Sequence, residues 1–201
     1  MNVIDSCWVL NIKKNAAGEI EKYKARLVAK SFTQIHGVNY YETYTPVTKL
    51  TSFCLLLAIA AWNGWPVNTF DFDSAYLNGE LKEDEVIYLR QLPGYETKDR
   101  EHWLWRLLKV LYGLKQGVRN WYEALCKALT ELGFTRSEVD HSVFFKEVGD
   151  DIIILAVHVN DGMATGSSIT LINKFKKDLN VICKLTDMGA HQQKCILLEC
   201  T

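Results

Sequence analysis

Two acidic points stand out in this chain. Asp71 lies near the end of an apolar, strand-like run from Val67 to Asp73, and Asp161 sits in the turn sequence Asn160-Asp161-Gly162 after a second apolar run. If the two strands are neighbours in one sheet, both carboxylates reach the same edge. Convergent carboxylates with no His or Cys nearby suit Mg²⁺, a hard cation that prefers oxygen ligands and often bridges to substrate phosphates. A pair of such ions activates an attacking hydroxyl and stabilises a leaving pyrophosphate in nucleotidyl transfer. On spacing alone the plainer reading outweighs this one, because Asp ends strands readily and Asn-Asp-Gly is an ordinary turn. A second set is cationic: Lys24, Arg26 and Lys30 share one face of an extended segment, with Leu27 and Ala29 on the other. Such a face suits phosphates or simply solvent.

The elements that must hold these residues follow from pattern. Trp8 to Lys13 and Tyr23 to Lys30 read as strands joined by a turn at Ala16-Ala17-Gly18-Glu19. Thr51 or Ser52 is the expected cap of a helix through Leu55, Leu56, Ile59 and Ala60 that ends near Gly64. Strands are expected at Val67 to Asp73, Val86 to Arg90 and Leu104 to Leu108, with an acidic loop at Glu80 to Glu85. After Gly117 a helix carries Trp121, Leu125, Ala128, Leu129 and Leu132 on one stripe, and Gly133 ends it. Ser142 to Lys146 and Asp151 to Val159 pair through Gly149-Asp150, and Asn160-Asp161-Gly162 turns into a short strand at Met163 to Thr165. Ser167 or Ser168 caps a last helix bearing Ile169, Ile172, Phe175, Leu179 and Ile182. Strands and helices mix without regular βαβ alternation, so the expected fold is α+β, with helices backing an antiparallel sheet.

Composition bounds the remaining classes. With 48% hydrophobic and 23% charged residues the chain is globular rather than disordered. It has no apolar run of membrane-spanning length and no secretory start, so an intracellular protein (cytoplasmic particle or nucleus) with no membrane partner is expected. Six cysteines lack any Cys-x-x-Cys pair, and His191, Cys195 and Cys200 match no common zinc module, so reduced thiols are the reading. The net charge of −1 makes no global case for nucleic acid, but charge is segregated. Residues 1–50 carry seven Lys/Arg against four Asp/Glu, residues 71–101 four against nine, and residues 102–127 five against one. Basic flanks around an acidic middle suit phosphates and metals respectively.

Five ordered blocks add a resemblance. Tyr23-Lys-Ala-Arg-Leu-Val-Ala-Lys-Ser-Phe-Thr-Gln, Glu42-Thr-Tyr-Thr-Pro-Val, Asp71-Phe-Asp-Ser-Ala-Tyr-Leu-Asn-Gly and Leu111-Tyr-Gly-Leu-Lys-Gln resemble successive motifs of copia-type retrotransposon reverse transcriptases. Val157-His-Val-Asn-Asp occupies the place of that family's Tyr-Val-Asp-Asp signature, and the match runs from about Trp8 to Glu199. The resemblance implies an RNA-directed DNA polymerase domain of a Pol polyprotein, with fingers and palm and the thumb largely absent. It implies a fingers-like segment at 1–50, a palm with further fingers elements at 51–201, and no RNase H, integrase or protease segment. It assigns Asp71 and Asp161 to two-metal Mg²⁺ binding and places position 160 among the catalytic residues. It makes Tyr76 a steric gate below the nucleotide sugar, puts Gln116 in the same pocket, and brings Lys24 and Arg26 to the incoming triphosphate. Implied partners are a primed RNA or DNA template and deoxynucleoside triphosphates. From the residues alone, Tyr76 reads equally as core and Gln116 as a cap for the next helix.

The departures from the family pattern bear on activity. Asn160 replaces the first signature aspartate, which the family places directly on the metals, and His158 replaces the signature tyrosine. Val118 and His141 stand where prolines are usual, and Ser31 where glycine is usual. Asp187-Met-Gly keeps the family pattern, which is lost from Ala190 to Cys200. An impaired polymerase is expected, the alternatives being a catalytically silent nucleic-acid-binding palm module or a decayed remnant of the element.

Overall fold

A computed structural model describes residues 2–191 of the chain. In chain order the strands are β1 (Val3–Ile4), β2 (Ser6–Lys14), β3 (Ile20–Ala29), β4 (Val67–Phe72), β5 (Tyr88–Arg90), β6 (Leu104–Arg106), β7 (Thr135–Arg136), β8 (Val143–Val148), β9 (Asp151–His158), β10 (Asp161–Gly166) and β11 (Leu185–His191). The helices are α1 (Leu50–Asn63), α2 (Gly117–Glu131) and α3 (Ile169–Ile182). Mixed helices and sheets are thus observed, as the unalternating pattern predicts. Cys195 and Cys200, read above as reduced thiols, lie outside the described residues. Cys7, Cys54 and Cys126 are half-buried and Cys183 is buried.

The chain forms two compact units, and neither is contiguous: Met1–Tyr44 joins Tyr76–Trp121, and Thr45–Ala75 joins Tyr122–Thr201. Residues 76–121 group with the N-terminal segment because β1 pairs in parallel with β5, a contact that no local pattern announces.

In the first unit β2 and β3 pair antiparallel from Ser6↔Ala29 to Lys14↔Ile20. The turn between them closes on Asn15, whose side-chain oxygen accepts the Ala17 and Glu19 amides. Strand β5 lies between β1 and β6, and Ile4, Ala29, Ile87, Leu89, Val110 and Leu114 form the core.

The second unit is built on a wholly antiparallel sheet in the order β11-β4-β10-β9-β8-β7. Helix α1 lays Leu56, Leu57 and Ala60 against Val67, Val143, Ala156 and Met163 on one face. On the other face Phe175 of α3 meets Phe70, which meets Phe72. Alternation along β4 sorts its residues accordingly: Asn68, Phe70 and Phe72 face α3, while Val67, Thr69 and Asp71 face the opposite way.

Helix ends were only partly legible in the sequence. Gly64 ends α1 in the left-handed region at φ 68° and donates its N–H to Ala60 O and Ala61 O, and Ser168 caps α3 through the Leu171 amide. The expected Thr51 or Ser52 cap is corrected. Lys49 holds the cap position, and its N–H is taken by the Asp140 carboxylate, 3.0 Å away and 91 residues on in sequence.

Candidate metal and nucleotide site

Asp71 of β4 and Asp161 of β10 are direct cross-strand partners. The next pair outward, Phe72 and Asn160, is joined by a 2.8 Å bond from Phe72 N–H to Asn160 O. Hydrogen-bonded and open pairs alternate, so Asp71 and Asp161 form an open pair, the kind whose Cα atoms approach to ~4.5 Å with both side chains on one face. Two carboxylates held side by side repel each other unless a cation lies between or beside them.

The turn differs from the expected one. Asn160-Asp161-Gly162 is not its centre: β9 ends at His158, β10 begins at Asp161, and Val159-Asn160 makes a two-residue loop closed by the His158↔Asp161 pair. Val159 sits at φ 58°, a left-handed conformation that β-branched side chains resist, at a cost of about 1–3 kcal/mol. A positive φ at the first loop position only is the II′ pattern, which matches strand twist. Gly162 fits because a Cβ there would collide with the Phe70 ring. The Asn160 side-chain oxygen is buried and makes no hydrogen bond.

On the other side of β4, Thr186 of β11 pairs with Asp71, and its hydroxyl donates to Asp73 Oδ1 at 2.8 Å. Asp73 continues the ladder by donating its N–H to Lys184 O. Asp161, Asp71, Thr186 and Asp73 thus share one face. Among the described residues no three His, Cys, Asp or Glu side chains converge closely enough to hold an ion.

The cations and the aromatic candidate belong to the first unit. Lys22, Lys24 and Arg26 alternate along one face of β3, and Lys13 faces Lys22 across the hairpin. Partial burial, then the charges of Lys13, Arg26 and Lys22, hold the Lys24 amine below the usual lysine range. Lys30 lies just past β3, its amide bonded to Asp5 O. The Arg26 guanidinium stands 5.6 Å from the centre of the Tyr112 ring, and Tyr112 meets Tyr76 edge-on at 5.2 Å. Burial, then Tyr112, raises the Tyr76 phenol above its ordinary value.

The family described as reverse transcriptase (RNA-dependent DNA polymerase) matches residues 1–196. The chain belongs to the reverse transcriptase family. It is 38% identical over 180 residues to the retrovirus-related Pol polyprotein from transposon RE1 of Arabidopsis thaliana, covering 90% of this chain and 12% of that protein. It is 36% identical over 187 residues to the corresponding polyprotein from transposon TNT 1-94 of Nicotiana tabacum, covering 92% of this chain and 14% of that protein. Both are copia-type relatives, and the chain spans about an eighth of their length.

Gln116 of this reverse transcriptase domain lies in the interior of the first unit. It is fully buried, accepts from Gln34 Nε2 at 3.0 Å and donates to Asn39 O at 2.9 Å. Gln34 Oε1 takes the Lys115 amide, and Asn39 Oδ1 takes Asn2 Nδ2 and the Ile35 amide. Both ends of the Gln116 amide are therefore engaged within the protein, tying the first and fourth motif blocks together. Gly113 is required beside it: at φ 90° a Cβ would strike the Ala29 carbonyl, whose own amide bonds Tyr112 O at 2.8 Å. The residue that touches both Arg26 and Tyr76 is Tyr112. Nothing in the sequence sets Tyr112 apart within its motif, because only the hairpin's position beside residues 112–113 singles it out. Asp73 and Thr186 were also missed. An aspartate two residues after Asp71 in a strand was the available signal for Asp73.

Proposed function

We propose that this chain is the fingers and palm of a copia-type reverse transcriptase whose two-metal site is weakened by Asn160. In this reading the six-stranded antiparallel sheet is the palm, residues 1–50 contribute fingers, and residues 51–201 contribute the palm with further fingers elements. The ancestral reaction is templated DNA synthesis, by attack of a primer 3′-hydroxyl on the α-phosphate of a deoxynucleotide. The observation that carries the reading is the open cross-strand pair of Asp71 and Asp161 beside a strained loop bearing Asn160.

The donor set fits a hard divalent ion in part. Asp71 and Asp161 would hold Mg²⁺ through oxygen, and Asn160 offers an amide oxygen that has no hydrogen-bond partner but adds no negative charge. When bound, the ion neutralises phosphate oxygens and lowers the cost of charge building on the attacking and leaving oxygens. The chain's own part is to fix two carboxylates on rigid strands. Asn160 leaves the second ion short of an anionic ligand. The hairpin cations Lys24 and Arg26 supply phosphate contacts, with Tyr112 under the guanidinium. Asn160 also supports a second reading, a module that binds primed template and nucleotide without turnover.

Primer extension with Mg²⁺, in a chain lengthened to include a thumb and carrying either Asn or Asp at position 160, tests the claim. The Asp form should be faster by at least about 10²-fold, the scale of losing one preorganised electrostatic contributor. Equal rates would remove the claim of a damaged site. Salt-sensitive binding of primer–template by the 201-residue chain without extension marks the silent module, and neither binding nor extension marks a remnant.

A further inference from the structure

The Asp187-Met188-Gly189 segment keeps the family pattern, yet the site described above makes no use of it. Lys176 of α3 is buried, its side chain 8% exposed, and its ammonium donates to Asp187 Oδ2 at 2.7 Å and to Asn68 Oδ1 at 3.1 Å. Asn68 is itself buried, on β4 between Ala164 and Ala190. The second oxygen of Asp187 takes the Gly189 amide across the bulge that interrupts β11 pairing. One charged group from the helix layer thus fastens β11 to β4 at its irregular point.

Among the described residues, β11 fully buries no apolar side chain that would define its alignment. Register is strongly specified where a strand buries an apolar face, and weakly in polar or glycine-containing strands. Thr186, Asp187, Met188 and Ala190 are all exposed, and Leu185 is only half-buried. A slip of one residue would replace Thr186 opposite Asp71 with Leu185 or with Asp187, and would break the Thr186–Asp73 bond.

We propose that Lys176 and Asp187 are positioning residues for the carboxylate edge: their bond sets the register of β11 on β4 and so seats Thr186 against Asp71 and Asp73. The metal arm of the following test rests on the proposed function, and the register arm does not. Three forms of the 201-residue chain are compared: the parent, Lys176→Met, and the double variant Lys176→Met/Asp187→Leu. The double variant leaves no charge buried without a partner, so its thermal midpoint should return to or exceed the parent's. If the pair sets register, both variants still show at least ~10-fold faster hydrogen exchange at the Asp73 amide. Both also bind Mn²⁺ about 10-fold more weakly, the scale of a lost outer contact to a metal ligand. Asp71→Asn defines the zero for Mn²⁺. A double variant that regains both stability and parental Asp73 protection overturns the proposal. Parental Mn²⁺ binding unaffected by Asp71→Asn would instead sink the metal reading, and Asp73 exchange would still decide the register.

Discussion

Asp140 shows how one side chain outside the carboxylate edge sets a helix that backs the sheet. Its carboxylate accepts the Lys49 and Ser142 amides and the Ser52 hydroxyl. Burial pushes its pKa up, but those hydrogen bonds and the Lys49 charge outweigh it and hold the group below the usual aspartate range. A depressed folded pKa means stability that is complete above the unfolded value of ~3.9 and is lost as pH falls through the folded one. Acidification below about pH 4 should therefore lower the parent's thermal midpoint more steeply than that of Asp140→Asn. At neutral pH Asp140→Ala should cost about 2 kcal/mol, read by chemical denaturation, because it strips the α1 terminus of its acceptor. The same scale explains why the turn was misread. Asn-Asp-Gly is the better local turn sequence, but the ladder continues through Asp161 and Gly162, and pairing with β4 pushes the loop back onto Val159 despite its strain.

Among the elements, those with local punctuation were readable and those fixed by partners were not. Gly149-Asp150 marks the β8–β9 hairpin, Gly64 and Gly133 mark helix ends, and the alternating cations mark β3. Strand β11 escaped because its bulge and glycine break the alternation, and two-residue β7 is too short to carry a pattern. Of the geometry, the meeting of two aspartates on neighbouring strands and the one-sided run of cations were legible, whereas the hydrogen bonds of Gln116 were not, since Gln34 and Asn39 are about eighty residues away from it in sequence. Gln116→Ala should cost about 3 kcal/mol in chemical denaturation, by leaving a Gln34 N–H and the Asn39 carbonyl buried without a partner. On the hairpin, Lys24→Ala/Arg26→Ala should weaken triphosphate binding more than duplex binding. Duplex affinity should fall with salt at a log–log slope of about −0.9 per phosphate neutralised. Equal losses for both ligands would count against a nucleotide role.

At the level of the whole molecule, the chain passes between its two units after Tyr44, Ala75 and Trp121. No single cut separates one complete unit from the other, so deletions should damage both. A chain ending at Val148 lacks β9, β10 and β11, and β4 then has no partner on either edge. Open strand edges with apolar residues template association. Residues 1–148 should accordingly sediment as aggregates at concentrations where the 201-residue chain stays in solution. A soluble monomer of residues 1–148 would show that β4 finds other cover.

That topology also imposes an order of events during synthesis. Strand β4 is made before either of its sheet neighbours, and 88 residues separate Phe72 from Asp161, where the nearer of them begins. At ordinary elongation rates this is an interval of roughly 4–18 s, far longer than hairpins take to close. Through that interval the nascent chain carries an apolar strand with nothing to pair against, while the later β8–β9 hairpin forms almost as soon as it appears. The aspartate edge therefore cannot assemble until β10 has been made, and through that interval Val67–Phe72 is the stretch most exposed to wrong pairing.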